Sequence, residues 1–157
     1  MSRILQHFLY PSTLFASKEP YVVQTILGSC VAICLYDSKA KIGGINHYML
    51  PTWNGNDLAS PKYGNIAVER LINRMLQLGS KLENIEAKIF GGGDLISTDK
   101  SVMLIGERNI RIARVLLEEK NIPIVASSTG GRKGRKILFF TETGEVRHKF
   151  LEKNYSI

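Results

Sequence analysis

Three apolar, β-branched runs crowd the first third of the chain, at residues 21–27, 31–36 and 42–50. Runs of this length and composition predict buried strands. Between the last two lies Asp37-Ser38-Lys39-Ala40-Lys41, whose composition is that of a turn, so they form a predicted hairpin. A polar loop at 53–60 leads to Ser60-Pro61, an N-cap followed by proline at the first helical position. From there Ile66, Ala67, Leu71, Met75 and Leu78 recur at helical spacing until Gly79, a plausible stop. A short strand over 87–90 runs into Gly91-Gly92-Gly93-Asp94. A second helix is expected over 107–119, where Ile110, Ala113, Leu116 and Leu117 share one face, and Pro123 ends it. Residues 122–127 read as a further strand, and 136–141 and 145–151 as a closing hairpin turning at Glu142-Thr143-Gly144.

Several strands, a helix, a strand, a helix and more strands suit an α+β fold, with helices to one side of mixed, largely antiparallel sheets. The chain has 157 residues, no repeat and no linker-like stretch, which points to a single domain over 1–157. Such a length buries about two thirds of the unfolded surface, so neither disulfide nor metal is needed for folding. No apolar run approaches the roughly 18–20 residues of a membrane span, and residues 1–7 lack an apolar leader segment. Cys30 and Cys34 are too close to staple a fold usefully, which points to free thiols in a reducing, cytoplasmic setting.

Net charge is +7, and it is unevenly spread. Residues 130–153 hold seven basic side chains (Arg132, Lys133, Arg135, Lys136, Arg147, Lys149 and Lys153) against Glu142, Glu145 and Glu152. A patch of that kind meets an acidic protein surface, anionic lipid or nucleic acid, or simply keeps a hairpin solvated.

Cys30 follows Gly28-Ser29, where a strand ends and the backbone must turn. Centring the hairpin turn on Ser38-Lys39 sets Cys30 directly opposite His47, with Cβ atoms about 4.5–5.5 Å apart. An imidazole at that distance can take the thiol proton and later deliver it to a leaving group, the logic of nucleophilic catalysis by cysteine. Backbone N–H groups at the turn are natural oxyanion donors. Against this stands the ordinary fate of a free cysteine, burial as a small hydrophobe, which is the reading for Cys34. His7 and His148 have no partner at ligand spacing, so no metal is expected. Gly91-Gly92-Gly93-Asp94 lacks the Gly-Lys-Ser/Thr ending of a phosphate loop and reads instead as a tight turn against the site wall.

Leu27-Gly28-Ser29-Cys30-Val31-Ala32, followed by His47-Tyr48-Met49-Leu50-Pro51, resembles the CheD family of chemoreceptor glutamine deamidases. The resemblance continues through Tyr63-Gly64, Lys88-Ile89-Phe90-Gly91-Gly92, Ile105-Gly106-Glu107-Arg108-Asn109, Gly130-Gly131 and Arg135-Lys136, and so covers roughly residues 20–150. It implies a layered α/β sandwich and hydrolysis of glutamine side-chain amides on the cytoplasmic helices of chemoreceptors. It further implies Cys30 as nucleophile, His47 as general base and Thr25 as the third member of the site, with no cofactor. Receptor cytoplasmic domains are the partners implied, together with a phosphatase of the CheC type. The principal alternative is a non-catalytic regulatory module that binds such a phosphatase. A nucleic-acid binder would need a recognition motif that this chain lacks, and another cysteine hydrolase, such as an esterase or transamidase, would use the same dyad.

Overall fold

The computed structural model describes residues 3–94 and 104–152. Lys153, one of the seven basic residues counted above, lies outside them. Chain order gives β1 (Leu5–Phe8), β2 (Thr13–Ser17), β3 (Tyr21–Leu27), β4 (Val31–Asp37), β5 (Ile42–His47), α1 (Gly64–Leu78), β6 (Ile85–Gly91), α2 (Ile105–Glu119), β7 (Ile124–Thr129), β8 (Arg135–Phe140) and β9 (Val146–Phe150). The strands form two mixed sheets, one ordered β1-β3-β8-β9 and the other β2-β5-β4-β6-β7. This is the layered α+β sandwich expected from the sequence.

Alternation along β4 explains the layering. Val31, Ile33 and Leu35 join a core with Leu71 and Met75 of α1 and Ala113 and Leu117 of α2. Ala32 and Cys34 point the other way, into a second core with Val23 and Leu27 of β3 and Ile137 and Phe139 of β8, which Cys30 also joins. Successive strand residues point to opposite faces, so a fully buried β4 must serve both cores. The five-stranded sheet is therefore the middle layer, between the helices and the four-stranded sheet.

The hairpin register and the start of α1 differ from the sequence expectations, and two further strands are present. The hairpin is closed by Ser38–Lys41 rather than centred on Ser38-Lys39, with Asp37 opposite Ile42, Leu35 opposite Gly44 and Cys34 opposite Ile45. Buried Asp37 causes this. One carboxylate oxygen accepts the Lys39 and Ala40 N–H groups at 3.0 and 2.9 Å, and the other accepts Lys81 N–H at 3.2 Å. These bonds hold a four-residue loop in which Lys41 takes φ +56°.

Helix α1 begins at Gly64, not at Pro61. Residues 60–63 instead form a turn bound to the end of the β5 segment, where Met49 and Leu50 both donate to Lys62 O. The first helical N–H groups, on Gly64 and Asn65, find the Leu50 and Pro51 carbonyls at 2.7 and 3.2 Å, so no side-chain cap is needed. The stop at Gly79 is as expected, with φ +116° and Ser80 N–H returning to Met75 O.

Strands β1 and β2 carry no clear signal in the sequence. Apart from half-buried His7, β1 is exposed, and β2 is mostly half-buried, so neither has a clean alternating pattern. They nevertheless matter to the site. The crossing between them carries Leu9 and Ser12, both of which reach His47 or its partner.

Candidate active site

Chain direction brings the site together. Leu27 ends β3 in one sheet, and Gly28-Ser29-Cys30 carries the backbone across to β4 in the other. Cys30 therefore stands at the crossover, facing the layer between the sheets and 2% exposed. The turn is gripped from outside by the glycine run, since Gly92 N–H donates to Cys30 O at 2.8 Å and Gly93 N–H to Gly28 O at 2.9 Å. Gly91 has φ +105°, and a Cβ there would collide with the Cys30 carbonyl oxygen. The run is thus the tight turn expected from its composition.

His47 is the last residue of β5, 1% exposed. Its backbone is fixed from the β2 side, opposite Thr13 and with its carbonyl accepting Ser12 N–H at 2.8 Å. Hairpin pairing continues to a Val31–Tyr48 bridge, and in that register Ala32 comes opposite His47. Cys30 is therefore the diagonal neighbour of His47, not its direct partner. The difference from the sequence expectation is two positions, so both side chains keep the same face. Diagonal neighbours lie about 7–8 Å apart at Cα, and the two side chains face the same layer without a hydrogen bond between Cys30 Sγ and His47 Nε2.

Thr25 meets His47 from the opposite sheet. It lies between Val23 and Leu27 on the buried face of β3, and its Oγ1 is 2.7 Å from His47 Nδ1. Its hydroxyl also donates to Leu9 O at 2.7 Å. A carbonyl can only accept, so the threonine proton is committed to Leu9 and Oγ1 offers a lone pair to His47. Nδ1 then carries the imidazole proton, and Nε2 is left as the basic nitrogen. Nε2 is buried and has no hydrogen-bond partner among the described residues.

Burial sets the charge state of the pair. It pushes the Cys30 thiol up to about 12, partly offset by the residue's own backbone N–H. It also lowers His47 to about 4. Thiol and imidazole are both neutral at pH 7, rather than the thiolate and imidazolium of an exposed dyad. A neutral Nε2 can accept the thiol proton as attack proceeds, and both charges then develop inside the layer. The N–H of Ser29 makes no backbone hydrogen bond among the described residues and can turn to an oxyanion, whereas that of Cys30 faces its own thiol.

Asn109 of α2 is fully buried and ties the two halves of the site. Its Nδ2 donates to Ser29 O and Met49 O, both at 3.0 Å. Ser29 precedes Cys30, and Met49 lies two residues after His47. The sequence reading did not single out Asn109 as a site residue. A signal was present, because the buried stripe of α2 runs Gly106, Asn109, Ala113, Leu117, and an amide among small and apolar residues needs partners. Cys34 is buried and free, 2% exposed among apolar side chains, as expected of packing. Among the described residues no cluster of three metal-ligating side chains occurs.

Comparison with known proteins adds to this geometry. Residues 49–150 match the family model described as CheD chemotactic sensory transduction. The chain is 50% identical over 145 residues to a protein named probable chemoreceptor glutamine deamidase CheD from Trichlorobacter lovleyi, covering 92% of this chain and 90% of that one. A protein of the same name from Sulfurimonas denitrificans is 49% identical over 147 residues, covering 93% and 94%. Another, from Thiobacillus denitrificans, is 41% identical over 155 residues, covering 95% and 76%.

Proposed function

The chain belongs to the CheD family, and we propose that it hydrolyses glutamine side-chain amides to glutamate on the cytoplasmic helices of chemoreceptors. The relatives' names supply the substrate. The observation that carries the chemistry is the Thr25–His47 hydrogen bond, which leaves Nε2 basic in the same buried layer as Cys30.

In this reading Cys30 Sγ attacks the carboxamide carbon while its proton passes to His47 Nε2. The Ser29 N–H receives the developing oxyanion. His47 returns the proton to the amide nitrogen, the C–N bond breaks and ammonia leaves, giving a thioester on Cys30. Water then attacks the thioester with Nε2 as base. The C–S bond breaks, glutamate is released and the thiol is restored. Thr25 touches no substrate atom and holds the imidazole tautomer. No metal or cofactor enters any step.

No helix among the described residues is long and apolar enough to cross a membrane. A substrate on receptor cytoplasmic helices supports a cytoplasmic location, and the family resemblance supports a CheC-type phosphatase as a partner. The test is incubation with a receptor cytoplasmic fragment, reading ammonia and the gain of about 1 Da per glutamine converted to glutamate. Wild type should give both signals in equal amounts. A folded wild type that gives neither on its cognate receptors would leave regulatory binding as the better reading.

A further inference from the structure

Among the described residues no helix covers the outer face of the four-stranded sheet, and its side chains fall in rows across the strands. Alternation sends Arg135, Ile137 and Phe139 of β8 inward and leaves Lys136, Leu138 and Phe140 half-buried on the outside. One row reads Phe8, Gln24, Leu138, Arg147, and the next Ile26, Lys136, Lys149. Two adjoining grooves that share Leu138 cross this face, of about 330 Å³ and 320 Å³. The first is lined by Gln6, Phe8, Val22 and Gln24, and the second by Lys136, Arg147 and Lys149.

Lys136 and Lys149 are direct cross-strand partners, and neither has a carboxylate partner among the described residues. Like charges so placed destabilise a sheet and suit an anionic ligand. Their row lies at the end of the sheet where β3 leads into Gly28-Ser29-Cys30. The exposed Arg132 and Lys133 enter β8 at that same end. Arg147 stacks its guanidinium 5.0 Å from the Phe140 ring centroid and donates from Nε to Glu145 Oε2 at 3.1 Å, so among the described residues the unpaired cations of this face are the two lysines.

We propose that this face is the docking surface for an acidic helix of the protein substrate, seated with carboxylates toward Lys136 and Lys149 and its apolar side over Leu138 and Val22. The proposal rests on the deamidase reading for the identity of the partner. A second copy of the chain would bring the same +7 charge and be repelled. Nucleic acid would call for cations along both margins, whereas the β1–β3 side presents the neutral Gln6, Phe8, Val22 and Gln24.

The test compares wild type, Lys136→Gln/Lys149→Gln and the charge-matched Arg70→Gln/Arg74→Gln, whose arginines are exposed on α1. Ammonia release from a receptor cytoplasmic fragment is measured against salt, and binding of that fragment is measured on the same three sets of substitutions in a Cys30→Ala background. We expect the lysine pair to lower kcat/KM about tenfold at low salt, with the gap closing as salt rises, and to weaken binding in parallel. The arginine pair should match wild type. Equal loss in both double variants, or no loss in the lysine pair, would overturn the proposal. Duplex DNA competing as well as unlabelled receptor fragment would overturn the choice of occupant. Absence of ammonia from wild type, with lysine-dependent binding intact, would refute the deamidase reading and leave the docking surface standing.

Discussion

Replacing Thr25 with valine removes one hydroxyl and keeps the β-branched shape that suits a strand. Thr25 is fully buried, so the change strands two buried groups at once, Leu9 O and His47 Nδ1–H. Each unsatisfied group costs about 1–3 kcal/mol, so unfolding should become about 2–6 kcal/mol easier. In a chain of this length that is a fall in Tm of roughly 5–15 °C. Activity should fall further than stability requires. With no acceptor at Nδ1 the imidazole can place its proton on Nε2, and in that tautomer it cannot take the Cys30 proton. We expect kcat to drop at least about 100-fold, equivalent to about 3 kcal/mol of barrier, well below the melting transition. Thr25→Ser retains the oxygen and should recover most of the rate. The assay is ammonia release under saturating receptor fragment, paired with ¹⁵N NMR of the His47 ring. Wild type should show the Nδ1–H tautomer and the valine variant a loss of it. A folded valine variant turning over within about threefold of wild type would refute the reasoning, as would an Nε2–H tautomer in wild type.

Acid should destabilise the protein through His47. The folded state holds this residue neutral down to about 4, while the unfolded chain protonates it below about 6.5. Stability is therefore full above pH 6.5 and lost as pH falls toward 4, by about 3 kcal/mol from this residue. Denaturant titrations across that window should show a flatter dependence in His47→Gln, and the acid limb of kcat/KM should lie below about pH 5 rather than near 6.5. Asn109→Ala frees the Ser29 and Met49 carbonyls. We expect a loss of about 2–4 kcal/mol, a kcat reduced more than about tenfold and faster alkylation of the loosened Cys30 by iodoacetamide. Gly91→Ala and Gly130→Ala both place alanine at positive φ, but only the first drives a Cβ into Cys30 O. Thermal denaturation should show Gly91→Ala to be the worse by at least about 2 kcal/mol.

Much of the site was legible because its chemistry sits on strongly patterned elements. The apolar runs around Gly28-Ser29-Cys30 and Asn46-His47 announce strands, and parity alone keeps Cys30 and His47 on one face. The register was not legible. It depends on buried Asp37 binding Lys39, Ala40 and Lys81, and the last of these contacts spans 44 positions. Thr25 is invisible to local pattern for a similar reason. Its partners His47 and Leu9 come from the facing sheet and from a crossing between two strands too exposed to reveal themselves. Family resemblance supplied Thr25, and the geometry gives it a hydrogen bond to His47. The depressed basicity of His47 is likewise a property of the assembled layers and not of any motif.

The most direct test of the central claim is to trap the acyl-enzyme. Wild type and Cys30→Ala would each be mixed with receptor cytoplasmic fragment, quenched in acid within the first turnovers and weighed intact. We expect a covalent enzyme–receptor species in wild type, lighter than the sum of the two by one ammonia, cleaved by hydroxylamine and mapping to Cys30. It should be absent from Cys30→Ala. Glutamate formation that continues in Cys30→Ala, or an adduct on any other residue, would contradict the assignment of Cys30 as nucleophile.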